Sequence, residues 1–139
     1  DRNDKLEATV AYLRAFCSKQ FEDQNISLSI ETQIEKSMAG LEINGEIRRN
    51  LFLIIKEAIH NIFKHADASR VEISITANQD ILSLKISNDG ARKKTESFSL
   101  GGNGLKNMKE RADVLGGRLW TSHENGFQVF LEMPLRLSE

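Results

Sequence analysis

Residues Leu51 to Ala66 read LFLIIKEAIHNIFKHA, and this stretch carries two patterns at once. Leu51, Ile54, Ile55, Ala58, Ile59, Ile62 and Ala66 recur at the three- and four-residue spacing of a helix with one buried stripe. Glu57, Asn61 and Lys64 fall within about 60° of one another at roughly 100° per residue, forming a separate polar strip. A carboxylate, an amide and an ammonium on adjacent turns complement a metal-bound phosphate. An amide oxygen ligates hard cations such as Mg2+. An ammonium meets a phosphate oxygen as a point charge, and a carboxylate orients water or accepts a proton. The same spacing also describes an ordinary solvated helix face, so the rest of the chain has to decide.

Upstream, Leu6, Val10, Leu13 and Cys17 predict a helix from about Leu6 to Phe21. Ile26, Leu28 and Ile30 alternate as in a strand. Residues Glu31 to Asn44 have weak periodicity and are expected to be a connection with a short helical turn. Asn44 or Gly45 opens the central helix, with Glu46 in its first turn where the helix dipole favours a negative charge. Downstream, Val71, Ile73 and Ile75 alternate, as do Leu82, Leu84 and Ile86. With Asn78-Gln79-Asp80 between them they predict an antiparallel hairpin. Asn88-Asp89-Gly90 ends it with turn residues. Ala91 to Asn103 is polar and glycine-rich towards its end. Gly104 to Gly116 is helical, stopped by Gly116-Gly117. Arg118–Thr121 and Phe127–Met133 are two more strands about an Asn125-Gly126 turn, and Pro134 ends the last. The sum is an α/β two-layer sandwich, a mixed and mostly antiparallel sheet of about five strands on about three helices.

Composition narrows the classes. The chain has 139 residues, 40% hydrophobic and 28% charged, as in a globular domain. We expect residues 1–24 to supply a helix packed on, or leading into, a domain spanning residues 25–139. The formal net charge of −1 offers no global attraction for nucleic acid. No apolar run has the length of a membrane span, and no secretory leader pattern opens the chain. The one cysteine, Cys17, sits in a helical pattern and is expected to be a buried structural thiol in a reducing compartment. His60, His65 and His123 form no zinc set. Arg111 is expected to contact phosphate or a helix-surface carboxylate, Lys93 and Lys94 to be solvated, and Trp120 to lie in the core or against a helix.

Gly101-Gly102-Asn103-Gly104 stands before a helix, where glycines admit a ligand to the backbone and the free N–H groups of the first turn attract anions. Each piece alone is unspecific; their order is not. A helix with E-x-x-x-N-x-x-K-H, a hairpin ending in N-D-G, a polar loop and G-x-G-L-x-x-M-x-x-R at a helix start resemble the nucleotide-binding domain of the GHKL superfamily. Within it, EAIHNIFKHA and GNGLKNMKERA look like the ATP-binding catalytic domain of two-component sensor histidine kinases, in the branch that partners LuxR-like response regulators. The resemblance runs from about Ile26 to Leu135.

That resemblance implies a Bergerat-type fold binding ATP with Mg2+. Asn61 matches the asparagine that holds the metal, and Glu57 the acidic residue one turn earlier. Lys64 and His65 match positions facing the phosphates. Asn88 stands where an aspartate reads the adenine amino group, with Gly90 after it. Gly102 and Gly104, followed by Leu105, match the second glycine box, and residues 91–101 the lid. Implied partners are the parent's own dimerisation domain, which carries the phosphoacceptor histidine, and a response regulator. Neither nucleic acid nor membrane contact is implied for the domain, and a cytoplasmic location is, whatever anchors the parent. The departures are Asn88 for aspartate, Arg92 for the last glycine of the first box, and Phe127-Gln128 after Gly126 where a threonine is usual. Weakened adenine bonds cost about 1–3 kcal/mol, roughly ten- to a hundredfold in affinity. The alternative implied by these changes is a degenerate module of the same fold that docks proteins and makes little use of ATP.

Overall fold

A computed structural model describes residues 4–90 and 103–135. The chain runs β1 (Asp4–Lys5), α1 (Leu6–Gln20), β2 (Ser27–Ile34), a 3-10 turn (Lys36–Met38), β3 (Glu42–Ile43), α2 (Gly45–His65), β4 (Arg70–Asn78), β5 (Ile81–Asn88), α3 (Gly104–Val114), β6 (Arg118–Ser122) and β7 (Phe127–Pro134). The main sheet has the order β2-β4-β5-β7-β6. β2 lies parallel to β4, and every other neighbouring pair is antiparallel. This is the mixed sheet with three helices that the hydrophobic periods predict.

α2 begins where its cap chemistry allows. The Asn44 side chain accepts a hydrogen bond from the Ile47 N–H at 2.8 Å, satisfying one orphan donor of the first turn. At the entrance to α1, the Leu6 and Glu7 N–H groups donate to the Leu41 and Ala39 carbonyls, so the segment before α2 caps α1. Leu51, Ile54, Ile55, Ala58, Ile59 and Ile62 are buried in one core with Leu6, Val10 and Leu13 of α1 and the inward residues of the sheet. Cys17 is in that core, and burial pushes its thiol up to about 12, out of reach of thiolate chemistry at neutral pH. The β4–β5 turn has Gln79 and Asp80 at φ of 53° and 63°, the backbone of a type I′ hairpin turn. α3 ends with Gly117 N–H on the Ala112 carbonyl and Gly116 N–H on that of Asp113, Gly116 taking a φ of 71°.

Three expectations need correction. β2 continues to Ile34 through residues expected to be a connection. Thr32 and Ile34 prolong its inward face, and pairing with Ile75 and Ala77 of β4 supplies the hydrogen bonds that periodicity alone does not show. β1 and β3, a two-residue antiparallel pair, are too short for any pattern. Trp120 lies neither in the core nor against a helix. In β6 Leu119 points inward, so period-two alternation turns Trp120 to the open face, 37% exposed and stacked on Phe130 at 5.3 Å.

Candidate functional site

α2 and α3 pack side by side, and their contact builds one end of the site. Asn61 is buried at 6% exposure, and its Oδ1 has no hydrogen-bond partner among the described residues. Glu57, one turn earlier, is half-buried. Gly104, the first residue of α3, is backed directly onto both. A Cβ at Gly104 would sit 2.6 Å from Glu57 Oε2 and 3.4 Å from Asn61 Nδ2. Glycine therefore lets the start of α3 close on this pair without displacing the Glu57 carboxylate. The first N–H groups of α3 have no intrahelical acceptor, which makes this end attractive to an anion. The Asn61 amide and the Glu57 carboxylate both reach Gly104, and an orphaned amide oxygen is a ligand type that suits a hard divalent cation. Leaving such an oxygen buried and unpaired costs roughly 1–3 kcal/mol, so it is a position a ligand would relieve.

The other sequence-predicted residues divide. His65 is buried one turn beyond Asn61, while Lys64 is exposed. Leu105 is half-buried against the core. Gly102 and residues 91–101, including Arg92, Lys93 and Lys94, lie outside the described residues. Arg111 does something not foreseen. Its Nη1 donates to Asn50 Oδ1 at 3.2 Å, and Asn50, 5% exposed, donates in turn to the Glu46 carbonyl at 2.9 Å. The pair ties α3 to α2. Asn50 was visible as a polar residue one helical turn before Ile54, on the apolar stripe, and that misfit is the signal for a buried partner.

The second end lies where β5 meets β7. Asn88 is paired in register with Phe127 and is 4% exposed. Its Oδ1 accepts the Gly90 N–H at 2.9 Å, and its Nδ2 points at the Phe127 carbonyl at a long 3.5 Å. A Cβ on Gly90 would run into the Asp67 carbonyl, and one on Gly126 into that of Asn88, so both glycines mark close backbone approach. The charged member of the triplet, Asp89, turns elsewhere. Its carboxylate accepts from the Ser69 and Arg70 N–H groups at 2.9 Å each, and from the Ser69 hydroxyl at 2.5 Å. The Ser69 hydroxyl and these two N–H groups hold it down from 3.8 to about 2. Sequence inspection sees an N-D-G turn; it does not see which of the two polar residues is spent on the backbone.

Known proteins share this fold. The model of the histidine kinase-, DNA gyrase B- and HSP90-like ATPase family matches residues 46–137. The signal transduction histidine-protein kinase/phosphatase UhpB of Salmonella typhimurium is 37% identical over 133 residues, 96% of this chain and 26% of the relative. The sensor histidine kinase LiaS of Bacillus subtilis is 30% identical over 104 residues, 73% of this chain and 29% of the relative. The chain thus spans less than a third of the length of these curated relatives. Among solved structures, the histidine kinase domain of the Erythrobacter litoralis EL346 blue-light activated kinase aligns with a TM-score of 0.70 at 19% identity, covering 97% of this chain and 64% of that one. The catalytic domain of histidine kinase ThkA aligns at 0.63 and 17% identity, covering 96% and 95%. At these identities the structural likeness shows the fold. Among the described residues no helix is long and apolar enough to cross a membrane. Matched over most of its length by the family model, this chain belongs to the histidine kinase-, DNA gyrase B- and HSP90-like ATPases and has the catalytic-domain fold of the histidine kinases.

Proposed function

We propose that this chain is the ATP-binding catalytic domain of a sensor histidine kinase, residues 25–139 forming the nucleotide unit and residues 1–24 supplying the helix that packs on it. The observation that carries this is the buried, partnerless Oδ1 of Asn61, on a side chain that meets Glu57 at the glycine-opened start of α3. Asn61 would hold Mg2+ through Oδ1. The metal, when bound, neutralises charge on the phosphates. Glu57 orients a water or accepts a proton there, Lys64 and His65 serve the phosphates from the end of α2, and Gly102, Gly104 and Leu105 admit them to the α3 backbone. Asn88 and Gly90 form the base end. The γ-phosphoryl group would leave ADP, its bond to the bridging oxygen breaking as a bond forms to an imidazole nitrogen. That histidine belongs to a separate dimerisation domain, and the group then passes to an aspartate of a response regulator. The domain's part is positioning and charge stabilisation rather than covalent chemistry. It would work on the cytoplasmic side.

Calorimetric titration with ADP and a non-hydrolysable ATP analogue, with and without Mg2+, tests this. Mg2+-dependent binding that Asn61→Ala abolishes is the expected result. Absence of binding at millimolar nucleotide would overturn it and leave the docking module of the same fold as the surviving function.

A further inference from the structure

Asn44-Gly45, Asn103-Gly104 and Asn125-Gly126 are three copies of one dipeptide, and all three asparagines are exposed. We propose that Asn125 is the site of spontaneous deamidation in the folded chain, ahead of the other two, and that its isoaspartate product loosens the end where β5 meets β7. In such a dipeptide the glycine nitrogen, with no Cβ beside it to hinder approach, attacks the asparagine Cγ. The N–Cγ bond forms as the nitrogen's proton goes to solvent, the Cγ–Nδ2 bond breaks, and ammonia leaves a cyclic imide. Water then opens the ring. Cleavage at Cγ gives aspartate. Cleavage at the main-chain carbonyl gives isoaspartate, whose chain runs through Cβ and Cγ and is longer by one methylene.

Ring closure requires rotation about the asparagine Cα–C bond to bring the next nitrogen to Cγ, and that rotation swings the carbonyl oxygen. At Asn44 this carbonyl accepts the Arg48 N–H at 3.1 Å, and the side-chain Oδ1 accepts the Ile47 N–H at 2.8 Å. At Asn103 the carbonyl accepts the Asn107 N–H at 2.8 Å, and Gly104 is buried against Glu57 and Asn61. Each carbonyl makes the first bond of a helix, so closing the ring there begins by unwinding a helix end. Asn125 lies in the β6–β7 turn at a φ of 53°. Among the described residues no hydrogen bond holds its side chain or its carbonyl.

The next residue makes the product matter. Gly126 takes a φ of 100° and seats directly on the Asn88 carbonyl, where a Cβ would not fit. The turn runs between the Ser122–Gln128 pair of β6–β7 and the Asn88–Phe127 pair of β5–β7. An extra methylene just before Gly126 pushes it off its seat. Aspartate keeps the chain length and, like asparagine, accepts left-handed backbone, so the charge alone leaves the seat intact.

Trypsin puts the three asparagines on separate peptides, 37–48, 95–106 and 119–136. The test is to age the folded chain in mildly alkaline buffer, with a sample in guanidinium chloride alongside, and to measure isoaspartate on each peptide by mass spectrometry. In the folded chain Asn125 should convert about fivefold or more faster than either of the others, the factor that one hydrogen bond puts on an equilibrium, and in denaturant the three should converge. Equal rates in the folded chain, or a faster Asn44 or Asn103, would overturn the proposal. So would the same order persisting in denaturant, which would make it a property of the flanking residues. Aged chain carrying isoaspartate at position 125 should melt several degrees below the native chain, and Asn125→Asp should melt with the native chain. Aged chain that melts as Asn125→Asp does would overturn the loosening.

Discussion

The α2–α3 end of the site and the β5–β7 end treat their polar side chains in opposite ways. At the first, Asn61 keeps a buried oxygen with no partner among the described residues. At the second, both polar atoms of Asn88 are engaged by backbone groups. An unsatisfied buried acceptor is a cost carried by the free protein that a ligand removes, and an engaged one is a contribution to the fold that a ligand must share. Affinity and dependence on the metal should therefore come from the first end, and stability from the second.

The largest effect that could break this contrast is at Asn61. Asn61→Ala should lower Mg2+-dependent nucleotide affinity by about a hundredfold or more. It should leave the melting temperature unchanged or raised, because it also deletes an unpaired buried acceptor worth roughly 1–3 kcal/mol. A variant that melts well below the parent would mean that Asn61 is structural, and the contrast would fail. Gly104→Ala sharpens the same end. Its Cβ meets the Glu57 carboxylate at 2.6 Å, which must move, and affinity should fall by about tenfold with little loss of stability. At the other end Gly90→Ala should do the reverse. Its Cβ meets backbone at Asp67, which cannot swing aside, so denaturant titration should show a loss of about 1–3 kcal/mol. The smallest effect concerns Asp89. Its folded-state carboxyl is held below its ordinary value, so it stabilises the fold above 3.8, and the contribution is lost as pH falls from 3.8 through about 2. Asp89→Asn should flatten the pH dependence of stability in that window and leave nucleotide affinity at neutral pH unchanged.

The sequence made the helix–hairpin–helix–hairpin order legible because each element has a face buried in one core, and burial writes a period into the chain. Leu51 to Ile62 and the alternating runs of β4 and β5 are of this kind. What stayed hidden had no period to write. β1 and β3 are two residues each, and the last four residues of β2 depend on a parallel partner forty-odd positions away in the chain. Asn61 and Glu57 were visible as a polar strip beside the apolar stripe, but Gly104's place against them is a tertiary fact. Arg111 had two plausible partners on paper, and its actual one, Asn50, was disguised as part of the stripe. Trp120 was misjudged from its size, where alternation with Leu119 would have put it outside.

Asp89 and Gly90 together carry a mechanical consequence. Asp89 is bonded to Ser69 and Arg70, and Gly90 rests on the Asp67 carbonyl, only two residues beyond the end of α2. The tail of α2 and the turn after β5 are therefore welded into one knuckle, although more than twenty residues of chain separate them. Asn61 and Asn88 thus sit on one framework, and α3 is fastened to that same framework by the Arg111–Asn50 bond to α2.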